Sequence, residues 1–155
     1  MPEHCRLVCI APARVQDFLV HARPFLERAA RRSGEASVAA IEESLVAGRA
    51  LIWLVWASEQ RIVAVVVTEL VASAAGLVCV IVSCAGAGLP GWLPLIREIE
   101  CYAAREGCVA VRIYGRKGWA RVLKDYRAAR VILERRLKAA PPDSIPIQAG
   151  DGRVT

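Results

Sequence analysis

Three glycines placed just after an apolar run are the strongest chemical signal in this chain. Leu77-Val78-Cys79-Val80-Ile81-Val82 reads as a strand. Ser83 to Gly91 is a turn of small residues, and it predicts a helix beginning near Trp92. A strand, a glycine-rich turn and a helix N-terminus bring together free backbone N–H groups and the positive end of the helix dipole, an arrangement that suits an anion. Gly86, Ala87, Gly88, Gly91 and Trp92 are the residues of this expected cradle, and Pro90 is the one member with no N–H to give.

Other groups able to do chemistry are few. Glu69 at a strand end and Glu43 on a helix are the carboxylates placed to take a proton through water. The only histidines are His4 and His21, and the six cysteines (Cys5, Cys9, Cys79, Cys84, Cys101 and Cys108) form no CxxC pair. That spacing argues against zinc, and the apolar setting of most of the cysteines makes them small core hydrophobes of a reducing compartment. Trp53, Trp56, Trp92 and Trp119 read as core packing, with Trp53 and Trp56 on opposite faces of one strand because their spacing is odd.

The net charge of +6 is concentrated in one region. Between Arg112 and Lys138 there are ten Lys/Arg and two acids, a local +8, while the rest of the chain sums to −2. Arg112, Arg116, Lys117, Trp119, Arg121 and Lys124 form the expected patch for phosphates or an acidic partner, an indole set among cations.

These groups need a scaffold to position them. At 155 residues and 55% hydrophobic content, the chain predicts one ordered domain. Residues 1–138 form that domain and 139–155 an extended tail with little hydrophobic pattern. No apolar run reaches the ~20 residues of a membrane helix, and the N-terminus lacks a signal-peptide pattern, so the expectation is a soluble protein of a cytosol. Cys5–Ile10 reads as a strand. Helical spacing follows at Val15, Phe18, Leu19 and Ala22, with Pro24 as a kink and Arg31-Arg32-Ser33-Gly34 as a break. Ser37 caps a second helix ended by Gly48. Leu51–Ala57 and Arg61–Val71 are strands preceding the one already described. After the helix from Trp92 come a strand over Val109–Tyr114, a short helix over Arg116–Lys124 and a last strand over Arg130–Leu137. The order β-α-α-β-β-β-α-β-α-β implies a mixed α/β sheet, mostly antiparallel, of about six strands with helices on both faces.

This order, with the turn at Gly86–Trp92, resembles the GNAT acetyltransferase superfamily over Cys5 to Leu137, and in particular GNAT-like proteins of phages and prophages. The segments carrying the resemblance are Ala47-Gly48-Arg49-Ala50-Leu51-Ile52-Trp53, Ala64-Val65-Val66-Val67-Thr68-Glu69, Trp92-Leu93-Pro94-Leu95-Ile96-Arg97-Glu98-Ile99-Glu100 and Gly115-Arg116-Lys117-Gly118-Trp119-Ala120-Arg121-Val122-Leu123 with Asp125-Tyr126. The resemblance implies acetyl-CoA, with its pyrophosphate on the turn at Gly86-x-Gly88. The superfamily's Gln or Arg three positions earlier is Ser83 here, and its helix-four tyrosine falls on Val122 or Leu123. Tyr126 stands three residues further on, so Glu69 and Tyr126 are the remaining candidates for proton transfer.

Three functions follow from these readings. The first is a catalytically degenerate acetyltransferase-like binding or assembly module of phage type, meeting a virion component or another acidic protein surface. The second is an active acetyl-CoA-dependent N-acetyltransferase of an unknown amine. The third is a nucleic-acid-binding module using residues 112–138.

Overall fold

The structure is a computed structural model, and it describes residues 4–58, 60–115 and 118–139. Two compact units make up the chain, Met1–Trp119 and Ala120–Thr155.

The first unit is built on a five-stranded sheet in the order β1-β2-β3-β4-β5. Its strands are β1 (Arg6–Ile10), β2 (Ala50–Trp56), β3 (Ile62–Ser73), β4 (Gly76–Gly86) and β5 (Ala110–Ile113). Pairing is antiparallel from β1 to β4, and β5 lies parallel to β4. Runs such as Val63-Ala64-Val65-Val66-Val67 are buried throughout, as a sheet covered on both faces requires.

Helices α1 (Val15–Ser33) and α2 (Val38–Val46) cover one face. Val15, Leu19, Ala22 and Leu26 of α1 and Ile41 and Leu45 of α2 pack with Ile10, Ile52, Leu54, Val65 and Val67. Pro24 lies inside α1, which runs on unbroken for 19 residues until Gly34 closes it in a left-handed conformation at φ 67°. The hydroxyl of Ser37 caps α2 by accepting the Ala40 N–H at 3.1 Å.

Helix α4 (Ile96–Arg105) covers the other face. Tyr102 of α4 meets Trp53 edge-on at 5.2 Å, and the Trp53 indole donates to Thr68 Oγ1 at 2.9 Å. Trp56 instead packs against the cluster under α1 and α2, so the two indoles do take opposite faces.

Two expectations about the chain between the last strands change. The helix expected from Trp92 is divided into a four-residue turn, α3 (Leu89–Trp92), a 3₁₀ turn (Leu93–Leu95) and then α4. Pro90 and Pro94 each sit early in one of these short turns, where a missing N–H breaks no helical bond. β4 also outruns its apolar stretch, because Ser83–Gly86 stay paired to Val67, Val66, Val65 and Ala64 of β3.

The second unit is described from Ala120 to 139. The short turn α5 (Trp119–Val122) leads into it, Leu123 is buried, and the Tyr126 N–H donates to Leu123 O at 3.1 Å. The strand expected over Arg130–Leu137 has no partner among the described residues and carries no regular secondary structure. The tail from residue 140 lies outside the described residues.

Candidate functional site

The strands β4 and β5 separate part-way along their length. Their parallel pairing runs from Val78↔Ala110 to Ile81↔Ile113 and stops there. At that point the register of β3 against β4 jumps from Thr68↔Ile81 to Val67↔Ser83, leaving Val82 as an extra residue. A bulge of this kind bends the strand that carries it. Beyond it β4 continues to Gly86 on β3 alone, and no described strand lies on its β5 side. A small cleft of about 120 Å³, partly open to solvent, lies there.

Residues 81–86 of β4 line the cleft, together with Ile113, Tyr114 and Gly115 after β5, Arg32 and Ser33 at the end of α1, and Leu89, Trp92 and Trp119. Gly115 lies tight beneath Trp119: a Cβ there would come within 2.5 Å of the indole Cδ1. Ser83 is 6% exposed, and its hydroxyl has no hydrogen-bond partner in the protein. A buried hydroxyl without a partner costs about 1–3 kcal/mol, which sets Ser83 apart from the other polar side chains of the described residues. Burial pushes the Cys84 thiol up to about 12, which keeps it protonated and poorly nucleophilic at neutral pH.

The glycine turn is organised mainly by contacts to the protein. Gly86 has no side chain because β3 leaves no space for one: an added Cβ would lie 2.3 Å from Ala64 Cβ and 2.7 Å from Val63 O. The Ala87 N–H donates to Val63 O at 3.0 Å, and the Ala87 carbonyl accepts the Trp92 indole N–H at 3.1 Å. Gly88 takes φ 67°, and the Gly91 N–H donates back to Gly88 O at 2.9 Å. Trp92 is 2% exposed and closes the floor of the cleft.

The other sequence candidates fall elsewhere. Glu69 is half-buried on β3 opposite Val80, and it does not line the cleft. Glu43 is exposed on α2, 3.7 Å from Arg49. Arg112 is half-buried on β5 opposite Val80, and Trp119 lines the cleft. Arg121 and Lys124 are exposed in the second unit, where Tyr126 also lies. Arg116 and Lys117 lie outside the described residues. Sequence reasoning passed over Tyr114 and treated Ser83 only as a missing Gln or Arg. No local signal marks either residue, since both depend on where the β4–β5 pairing ends. Among the described residues no group of acids, cysteines and histidines could hold a metal, and no helix is long and apolar enough to cross a membrane.

Comparison with solved structures bears on this geometry. A probable acetyltransferase superposes with a TM-score of 0.62 at 15% identity, over 88% of this chain and 99% of its own. The chain has the GNAT fold. An aminoglycoside N-acetyltransferase, AAC(6')-Iy in complex with CoA, matches at a TM-score of 0.60 and 14% identity, over 88% of this chain and 97% of its own. AAC(6')-Ih from Acinetobacter baumannii, an aminoglycoside 6'-N-acetyltransferase, matches at 0.58 and 11% identity, over 87% and 99%. No protein-family model and no curated protein matches the sequence. At these identities the GNAT likeness is one of fold.

Proposed function

We propose that this chain binds an acyl-CoA in the β4–β5 cleft and transfers the acyl group to an amine. The observation that carries this reading is the buried, unpartnered Ser83 hydroxyl on the strand edge left free by the bulge. An unpaired edge offers N–H and C=O groups to an extended ligand with amides of its own, and the CoA arm has two. Arg32 at the end of α1 is the cation that lines the cleft among the described residues, and it suits a phosphate. The solved CoA complex on the same fold adds support.

Bound acyl-CoA supplies an activated thioester. The chain's own contribution is to orient it and to manage protons. Among the described lining groups burial holds the Cys84 proton up to about 12, and we assign the Tyr114 Oη as the proton donor toward a departing thiolate. The described lining contains no carboxylate.

Calorimetric titration of acetyl-CoA into the wild-type protein and Ser83→Ala tests the reading. Saturable binding by the wild type, weakened by the substitution, supports it. An absence of heat at millimolar ligand refutes it.

One observation favours a second reading, a binding module without turnover. The N–H groups of Ala87 and Gly91 are already bonded within the protein and Pro90 has none, so the turn keeps fewer donors for a pyrophosphate. On this reading the basic residues meet an acidic protein surface, such as a phage structural component. CoA bound without thiol release from acetyl-CoA, across a panel of amines, would favour it.

A further inference from the structure

The β4–β5 cleft offers little to a charged acceptor. Its described lining has one charged side chain, Arg32, and neither a carboxylate nor a histidine. Cys84 is a protonated thiol at neutral pH, held so by burial. The other polar side chains are the hydroxyls of Ser33, Ser83 and Tyr114 and the indoles of Trp92 and Trp119, types that enter a reaction with their protons on. An alkylamine has a pKa near that of lysine, ~10.4, so at pH 7 only about one molecule in 2,500 has a free lone pair. Taking the ammonium form would require a group to accept its extra proton, and would set a second cation in a lining whose one charge is Arg32. An aromatic amine meets neither obstacle, because its lone pair is shared with the ring and it stays neutral. The walls also suit a ring. Tyr114, 47% exposed, and the half-buried Trp119 both line the cleft. A Cβ at Gly115 would lie 2.5 Å from Trp119 Cδ1 and 2.9 Å from its Nε1, so the pyrrole edge of the indole rests on the backbone next to Tyr114. Ile81, Val82 and Ile113 add apolar surface.

We infer that the acceptor is a neutral aromatic amine seated against Tyr114 and Trp119, an inference that rests on the acyl-CoA reading of the same cleft. Offset or edge-on contact with the two rings selects an aromatic acceptor over an aliphatic one of the same size. The amine nitrogen attacks the thioester carbonyl carbon. A C–N bond forms, and the C–S bond breaks with its electron pair leaving on sulfur. Tyr114 Oη gives its proton to the thiolate and regains one from the nitrogen. The products are an N-aryl amide and a free thiol, and no proton is left over for a separate base. An ammonium acceptor would leave one over.

Thiol release from acetyl-CoA by the full chain tests this, with aniline and cyclohexylamine as acceptors of similar size and calorimetry of acetyl-CoA alongside. With aniline, kcat/KM is expected to be level between about pH 6.5 and 8.5, whereas with cyclohexylamine it should rise about tenfold per pH unit, tracking the free base. Trp119→Leu should raise the KM for aniline about three- to tenfold more than that for cyclohexylamine, and Trp119→Phe should largely restore it. Three results overturn this inference while sparing the acyl-CoA reading, provided that acetyl-CoA binds. These are cyclohexylamine turnover that is level in pH, a Trp119→Leu effect equal for the two amines, and no acetylation of aniline. An absence of acetyl-CoA binding at millimolar ligand overturns both. If Trp119→Leu fails to fold, the wild-type pH profiles decide alone.

Discussion

Gly86→Ala separates two explanations for the glycine that ends β4. If a ligand required the space, alanine would impair binding and spare stability. The structure says the reverse. The new Cβ would sit 2.3 Å from Ala64 Cβ, 2.8 Å from Ala64 Cα and 2.7 Å from Val63 O, and ordinary contact begins at 3.4 Å. β3 and β4 must therefore part by about 1 Å, and two of the three opposing atoms are backbone atoms with little freedom to move. Overpacking of this kind costs about 1–3 kcal/mol. The displacement also stretches the Ala87 N–H bond to Val63 O, now 3.0 Å, with about 1 kcal/mol at stake. The sum is roughly 2–4 kcal/mol, which for a chain of this size lowers the melting temperature by about 5–15 °C. Differential scanning calorimetry without ligand is the assay, with Gly91→Ala as control. Gly91 has nothing within 4 Å of a built Cβ and no positive φ, so its variant should melt within a degree or two of wild type. A Gly86→Ala protein as stable as wild type would refute the close-approach argument.

Further outcomes follow from the same geometry. Ser83→Ala should weaken acetyl-CoA binding by about five- to tenfold, the worth of one hydrogen bond, while the unliganded protein melts no lower than wild type because an unsatisfied hydroxyl has gone; calorimetry and a melting curve check both. Tyr114→Phe should lower kcat about a hundredfold or more and leave the acetyl-CoA Kd unchanged, as thiol-release kinetics and titration would show. Stability should fall in alkali. Burial raises the Cys84 thiol to about 12 from 9.0, and burial, then Cys108, raises Cys79 to about 11. A raised acid keeps its proton in the folded state after the unfolded chain has released its own. Its stabilisation is therefore intact below pH 9.0 and lost as pH rises through about 11 for Cys79 and about 12 for Cys84. Melting temperatures taken across this range should fall less steeply in Cys84→Ala.

Local chemistry made much of the scaffold legible. Ser37 announces the start of α2 and Gly34 the end of α1, and the Val-rich β3 could be little else. What the sequence concealed was set by contacts between distant segments. Ser83-Cys84-Ala85-Gly86 has the composition of a turn, yet pairing with β3 holds it as strand, a tertiary override of weak intrinsic preference. The helix pattern from Trp92 was real on one face, since Trp92, Ile96, Ile99 and Ala103 are all buried. Periodicity alone did not show that short turns precede its regular part. Arg130–Leu137 has strand composition but finds no partner within the described residues, because an isolated strand gains nothing from propensity. The cleft was the least legible feature. It exists because a bulge at Val82 coincides with the end of β5, and no residue type encodes that coincidence.

The central claim is that acyl-CoA occupies the gap between β4 and β5. Its most direct test is an amide NMR titration of the full chain with acetyl-CoA. The account predicts saturable shifts concentrated at residues 82–86, 113–115 and Trp119, with the groove between α1 and α2 unaffected. No shifts at millimolar ligand, or shifts confined to that α1–α2 groove, would contradict it.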